Sequence, residues 1–181
     1  MTSSSISHAI EVINNFGIIA HQTDTVIGLA CLPHKILLQR LHSLKRRDGN
    51  KGFILLASSI DHVRRFIDIS DSELNQVSES TEKPTTWVVN ASRHVPALLL
   101  GPSRKVAVRI TQHPDIKILC GQVGAIVSTS ANLSQQQTCL ELNQVRAIFG
   151  PRIDFVQQDS TPGVGQSSTI IEASTGKILR Q

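Results

Sequence analysis

Phe53-Ile54-Leu55-Leu56-Ala57 is an unbroken apolar run with Gly52 before it and Ser58 after it. Five residues are too few for a helix of ordinary length, and the lack of alternation marks a strand buried on both faces. A strand covered on both sides requires layers above and below the sheet. The rest of the chain supplies them. Ile6, Ala9, Ile10, Ile13 and Phe16 recur at helical spacing after Ser5, and Asn14-Asn15 with Gly17 stop that helix. Ile18-Ile19-Ala20 is a short strand. Pro33 opens a second helix whose apolar stripe is Ile36, Leu37, Leu38, Leu41 and Leu44. Ser59 starts a helix carrying Ile60, Val63 and Ile67, and Ser70 with Glu73 is a capping-box pattern for another through Val77. Pro84–Val89 is a strand whose Trp87 packs inward. Lys105–Ile110 alternates, with Lys105, Ala107 and Arg109 on one face and Val106, Val108 and Ile110 on the other. Pro114 begins a helix through Cys120, and Thr138 with Glu141 repeats the capping-box signature. Phe155-Val156, Ser168–Ile171 and Lys177–Leu179 are strands, the last two joined by a hairpin at Ser174–Gly176. Strands and helices alternate with no long linker and no repeat. The expectation is one α/β domain over residues 1–181, a mixed sheet flanked by helices.

Three stretches concentrate polar chemistry. Ala125-Ile126-Val127 leads into Ser128, Thr129, Ser130, Asn132 and Ser134. A strand ending in hydroxyls and an amide presents several hydrogen-bond groups at one spot, and ligands of open α/β sheets sit beyond such strand ends. A plain Ser/Asn-rich turn fits the same residues. Lys45, Arg46, Arg47 and Lys51 put four cations within seven residues, interleaved with Gly49 and Gly52. Glycine lets backbone approach a ligand and cations hold phosphate oxygens. A basic helix C-terminus with a glycine stop accounts for Lys45 and Arg46, and less well for Lys51. The stretch lacks the Walker A pattern. Arg109, on a central strand, requires an anion or a carboxylate partner. Thr161–Gln166, with two glycines, is a candidate lid.

Composition narrows the ligand. A net charge of +4 suits an anion, nucleotide or RNA. One Trp and no Tyr argue against an RNA platform of stacked rings. Cys31, Cys120 and Cys139 are far apart and odd in number, as in a cytoplasmic protein with reduced thiols, and no His/Cys/carboxylate spacing predicts a metal. No run has the length of a membrane span, and the N-terminus has no secretory pattern.

Together the motifs resemble one family, the YrdC-like threonylcarbamoyl-AMP synthases of tRNA modification, in the short single-domain (TsaC) type. The resemblance rests on Ser128-Thr-Ser-Ala-Asn-Leu-Ser134 and on Val106-Ala-Val-Arg-Ile-Thr-Gln-His-Pro114. It also rests on Lys45-x-Arg47 with Lys51-Gly52, on Thr23-x-Thr25-x-x-Gly28-Leu29, and on Pro84-x-Thr86. Each piece is weak alone; five in this order are specific. The resemblance implies a twisted mixed sheet with a concave, positively charged face. It implies that L-threonine, bicarbonate and ATP are joined into threonylcarbamoyl-AMP with release of pyrophosphate, Mg²⁺ accompanying the nucleotide. Partner proteins then transfer the threonylcarbamoyl group to tRNA, which the chain itself could contact. It assigns Lys45 and Arg47 to catalysis, and Lys51, Thr86, Ser128, Ser130, Asn132 and Ser168 to ATP. Thr23, Thr25 and Arg109 go to L-threonine. The lid would close over the nucleotide.

The chain departs from the family at several positions. His21-Gln22 stands for Tyr-Pro, Asp24 for Glu, Ile27 for an aromatic, Asp48 for a proline, and Thr81-Glu-Lys83 for Trp-Pro-Gly. These motivate an alternative, a paralogue with altered substrate or a non-catalytic protein binding tRNA or double-stranded RNA. A ligase or hydrolase using Ser128 or Ser130 as nucleophile is a third reading, and it needs a base beside the serine.

Overall fold

The computed structural model describes residues 4–47, 51–79, 81, 83–158 and 160–181. Asp48, named above as a departure, lies outside them, as do Gly49 and Glu82. Among the described residues nine strands form one sheet. They are β1 Ile19–His21, β2 Gly28–Cys31, β3 Ile54–Ala57, β4 Thr85–Asn90 and β5 Lys105–Ile110, then β6 Ile126–Ser130, β7 Phe155–Val156, β8 Thr169–Glu172 and β9 Ile178–Arg180. Their order across the sheet is β7-β1-β2-β6-β3-β5-β4-β8-β9. The sheet is mixed: β1/β7, β3/β5 and β4/β8 are parallel, the other neighbours antiparallel.

Helices cover the two faces unequally. On one face lie α2 Lys35–Lys45, α3 Ile60–Val63, α4 Asp71–Ser78 and α6 Leu142–Phe149. Their Leu38, Leu41, Val63, Val77 and Phe149 pack on Leu55, Trp87, Val106, Val108 and Val127. On the other face, α1 Ser4–Asn14 and α5 Pro114–Val123 bury Ile6, Ile13, Ile116 and Leu119 against Ile19, Ala30, Leu56 and Ile126. Strand side chains alternate. Two to four residues along from that second core, the same face carries Gly28, Ile54, Ser128 and Ser130, which no described helix covers and which line a cavity. Among the described residues no helix is long and apolar enough to cross a membrane.

Local chemistry explains most element ends. Ser70 Oγ accepts from Glu73 N at 3.3 Å and the Glu73 carboxylate returns to Ser70 N at 3.0 Å, the predicted capping box. Trp87 packs inward, and β5 has the predicted faces. Four expectations are corrected. The second helix starts after His34 rather than at Pro33, and Arg46 in the left-handed conformation (φ 49°) ends it rather than a glycine. Its N–H reaches the Ser43 carbonyl, so the terminal hydrogen bonds outweigh the cost of that conformation. The helix after Ser59 ends at Val63; a 3₁₀ turn follows and Ile67 is extended, bridged to Ala91. The box at Thr138–Glu141 lies one turn later, with Glu141 as cap and Gln144 as its partner. The tie from Cys139 N to the Ala131 carbonyl at 3.1 Å holds the preceding segment out of the helix. Finally, Ser128 and Ser130 lie inside β6, paired with Ala30 and Gly28, so the hydroxyls project from the face of the sheet, not beyond a strand end.

Candidate active site

The cavity on the open face has a volume of about 350 Å³. Among the described residues its lining includes Arg47, Lys105, Arg109 and Arg180 and no carboxylate; Lys105 Nζ is paired with Glu172 at 2.8 Å. Three groups of side chains form its walls.

The first wall is built on the segment after β1. Thr23 Oγ1 and Thr25 Oγ1 are 2.8 Å apart, and Thr23 Oγ1 also accepts from Thr25 N at 3.0 Å. Thr23 Oγ1 donates to the Val26 carbonyl at 2.7 Å, and Arg109 Nη1 donates to Thr25 Oγ1 at 3.2 Å. Arg109 is 3% exposed. Burial works against its charge, and Asp24, with an oxygen 3.1 Å from Nη2, supports it. Thr111 Oγ1 donates to the other Asp24 oxygen at 3.0 Å. The carboxylate partner that a central-strand arginine requires is therefore internal, the residue between the two wall threonines. Arg109 Nε has no partner among the described residues.

The second wall joins the end of α2 to the loop after β6. Lys45 is 1% exposed, and its ammonium donates to the carbonyls of Ser130 and Asn132, the latter at 2.7 Å. Ser130 Oγ donates to Asn132 Oδ1 at 2.6 Å. Burial, then the neighbouring Arg47, push the Lys45 amine down to about 7. Lys45 thus braces the Ser130–Asn132 loop from behind, and neither it nor Asn132 lines the cavity. Arg47 does, with Nε and Nη2 on the carbonyls of Lys51 and Gly52 at 3.0 and 2.6 Å and its guanidinium over the Phe53 ring. Gly52 is obligatory: a Cβ there would stand 2.6 Å from the backbone of residues 99–101. Lys51 is exposed and away from the lining.

The third wall is the far end of the sheet. Thr86 Oγ1 and Ser168 Oγ are 2.8 Å apart, and Arg180 Nη2 donates to the Ser168 carbonyl at 3.0 Å. Thr86 is fully buried behind Ser168, so only Ser168 and Arg180 of this group line the cavity.

The loop at 161–166 lies on the first wall. Val164 N and Gly165 N donate to the carbonyls of Asp24 and Thr25 at 3.2 and 2.8 Å, and His113 Nε2 donates to the Thr161 carbonyl at 2.8 Å. A Cβ on Gly163 would meet the Thr23 carbonyl at 2.2 Å, so the docking needs glycine.

The structure therefore brings Thr23, Thr25, Arg47, Arg109, Ser128, Ser130 and Ser168 to one cavity. It puts Lys45, Thr86 and Asn132 behind it and leaves Lys51 outside. Sequence reasoning missed Lys105, Arg180 and the role of Asp24. The alternation of β5 puts Lys105 with Arg109, a usable signal; the face taken by Arg180 on an edge hairpin left none. A serine nucleophile gains nothing here. The imidazole beside Ser128 is His21, pushed down to about 3 by burial first and then by His113 and Arg109, too weak a base for that role.

Residues 11–181 match the Sua5/YciO/YrdC family, described as telomere recombination. A threonylcarbamoyl-AMP synthase of Haemophilus influenzae (strain PittEE) is 38% identical over 91% of this chain and 92% of its own length. One from Psychromonas ingrahamii is 33% identical over 99% and 98%. The structure of P. abyssi Sua5 complexed with L-threonine superposes with a TM-score of 0.87 at 22% identity over 98% of this chain. This chain spans about half of that longer protein, 54% of its length, and the likeness is one of fold.

Proposed function

The chain belongs to the Sua5/YciO/YrdC family, and on that premise we propose that it is an L-threonylcarbamoyladenylate synthase, a nucleotidyltransferase of the cytoplasm. It joins L-threonine, bicarbonate and ATP into threonylcarbamoyl-AMP and releases pyrophosphate, supplying the proteins that modify tRNA. The observation that carries the reading is the cavity's lining, which among the described residues has four cations, hydroxyls from three walls, and no carboxylate. Such a lining attracts a triphosphate and an amino-acid carboxylate together. The full-length identity to named synthases supports the same substrates.

Each wall takes one part of the reaction. Arg109, aligned by Asp24 and Thr25, holds the threonine carboxylate, and Thr23 and Thr25 line that end. Arg47 and Arg180 neutralise the phosphates, Lys105 being paired with Glu172; Ser130, Ser168 and the braced Asn132 loop hold the nucleotide. The carboxylated amine then attacks the α-phosphate in line, and pyrophosphate leaves. No group on the walls is placed as a covalent nucleophile, so catalysis is positioning and charge neutralisation. Mg²⁺ would arrive on the triphosphate. Among the described residues the lining offers it no carboxylate, and no group of three metal-ligating side chains exists.

Pyrophosphate release from ATP, measured with L-threonine and bicarbonate omitted in turn, tests the reading. Release is expected only with both present, and Arg47→Ala should lower it on the order of 10²-fold. Release independent of threonine overturns the assignment. Tight, salt-sensitive tRNA binding without ATP binding would instead establish the RNA-binding paralogue, whose motive is the set of departures at His21, Gln22, Ile27 and Asp48.

A further inference from the structure

All of residues 161–166 except Gly163 are exposed, so apolar burial does little to hold this loop. Its ties are polar and few. Val164 N and Gly165 N donate to the carbonyls of Asp24 and Thr25 at 3.2 and 2.8 Å, and His113 Nε2 donates to the Thr161 carbonyl at 2.8 Å. The two residues that receive the loop are the two that hold Arg109. Asp24 places an oxygen 3.1 Å from Arg109 Nη2, and Thr25 Oγ1 accepts from Nη1 at 3.2 Å. Arg109 Nε has no partner among the described residues. Asp24 and Thr25 thus meet the loop with their backbone and the arginine with their side chains. Gly163 sits where the approach is closest. A Cβ there would stand 2.7 Å from Asp24 C and from Thr25 N, backbone atoms that cannot rotate aside. A second cavity, of about 80 Å³, remains between the loop, the turn and Leu140, so packed side chains do not bind the two together. None of residues 161–166 lines the larger cavity. The loop touches the site from behind the turn.

We propose that loop 161–166 is a strap for the L-threonine end of the site, and that Gly163 is the positioning residue that lets it dock. Docked, the strap fixes the backbone of Asp24 and Thr25 and, through their side chains, the guanidinium of Arg109. This rests on the reading above, in which Arg109 takes the threonine carboxylate. A guanidinium fork grips a carboxylate by two parallel bonds only when its plane is set. A segment with few apolar contacts and solvent-exposed hydrogen bonds opens locally. Threonine needs the aligned fork, so it binds the docked form better and shifts the loop toward it. The nucleotide end has no such tie: among the described residues no hydrogen bond joins 161–166 to Arg47, Ser130 or Arg180.

Two readouts test the strap, one of them independent of turnover. Hydrogen exchange of the Val164 and Gly165 amides is followed in the free protein, with L-threonine, and with ATP. Threonine should slow both amides at least about threefold more than ATP does. Steady-state pyrophosphate release, with threonine and ATP varied separately, is then compared in wild type, Gly163→Ala and Val164→Pro. Proline deletes one donor to the turn, and the valine side chain it replaces is exposed. Each variant should raise KM for threonine about tenfold and leave KM for ATP unchanged. In an Arg109→Lys background, where no fork is left to align, the same substitutions should cost much less. Protection of the two amides by ATP and not by threonine would make the loop a nucleotide lid and overturn the proposal. So would an unchanged KM for threonine, or an equal rise in the lysine background. If Gly163→Ala fails to fold by circular dichroism, Val164→Pro decides the kinetic arm in both backgrounds. A wild type with neither threonine-dependent release nor threonine protection removes the substrate reading and the strap with it. A wild type that releases pyrophosphate with threonine, yet leaves Val164 and Gly165 unprotected, removes the strap alone.

Discussion

The two faces of the sheet are made by the same strands and have opposite fates. In β5, Val106 and Val108 point into the larger core while Lys105, Ala107 and Arg109 point into the cavity. In β6, Val127 is core, and Ser128 and Ser130, one and three residues further along, line the cavity. The first face is roofed along its length by four helices; the second is roofed by α1 and α5 at one end only. The uncovered end is where polar residues stand, because only there does a side chain need no apolar partner. The difference assigns labour: one face supplies stability, the other binding. A variant that breaks this division would show that the cavity is merely an unfilled part of the core.

The largest effect should follow from Leu55→Ala on the roofed face. Leu55 is fully buried among α2 and α6 residues, and its truncation should cost about 2–5 kcal/mol in denaturant unfolding. KM for threonine and ATP should not change below the melting temperature. A shifted KM with little loss of stability would put the division in doubt.

Arg109→Lys probes the open face. Lysine keeps the charge but loses the planar fork that Asp24 and Thr25 now align. KM for threonine should rise at least about tenfold, roughly the contribution of one charge-assisted hydrogen bond, while stability moves less than in Leu55→Ala. Parallel threonine and ATP titrations of this variant would sharpen the comparison, since only the threonine curve should move.

Most of this division could be read from residue order. Alternation in Lys105–Ile110 placed Arg109 opposite the core, and the unbroken run Phe53–Ala57 announced a strand with layers on both sides. The motif serines and threonines were found because small hydroxyls cluster in sequence. What could not be read was which polar groups touch the cavity and which stand behind it. Lys45 and Arg47 are two residues apart, yet the left-handed turn at Arg46 sends one inward onto carbonyls and the other to the lining. Thr86 is hidden behind Ser168, a partner 82 residues away. His21 looked like a lost aromatic; only its pairing with Gly28 shows where its nitrogen points.

Lys45 spans both faces, and pH separates its two roles. Its folded-state pKa of about 7 lies below the unfolded value of 10.5. Between these values the unfolded chain binds more protons, so stability should rise with pH across that window relative to a Lys45→Met variant. Below about pH 7 both states are protonated and the burial penalty is present in full. Activity should run the other way. An uncharged amine has two hydrogens for three oxygens, Ser130 O, Asn132 O and Asn132 Oδ1, so the loop loosens as the proton leaves. Unfolding curves and KM for ATP, both followed from pH 6 to 10, should therefore diverge; parallel trends would mean that the brace does not serve the nucleotide.

The smallest effect is expected at Ser70, remote from both faces. Ser70→Ala removes the acceptor for Glu73 N at the start of α4 and should cost about 1 kcal/mol. Helix α4 reaches the larger core mainly through Val77, and none of its residues lines the cavity. If the covered face acts only through stability, the melting temperature should fall by a few degrees and both KM values should stay fixed. A change in KM from so distant a cap would mean that the roofing helices tune the open face, and the separation of labour between the two sides of the sheet would have to be given up.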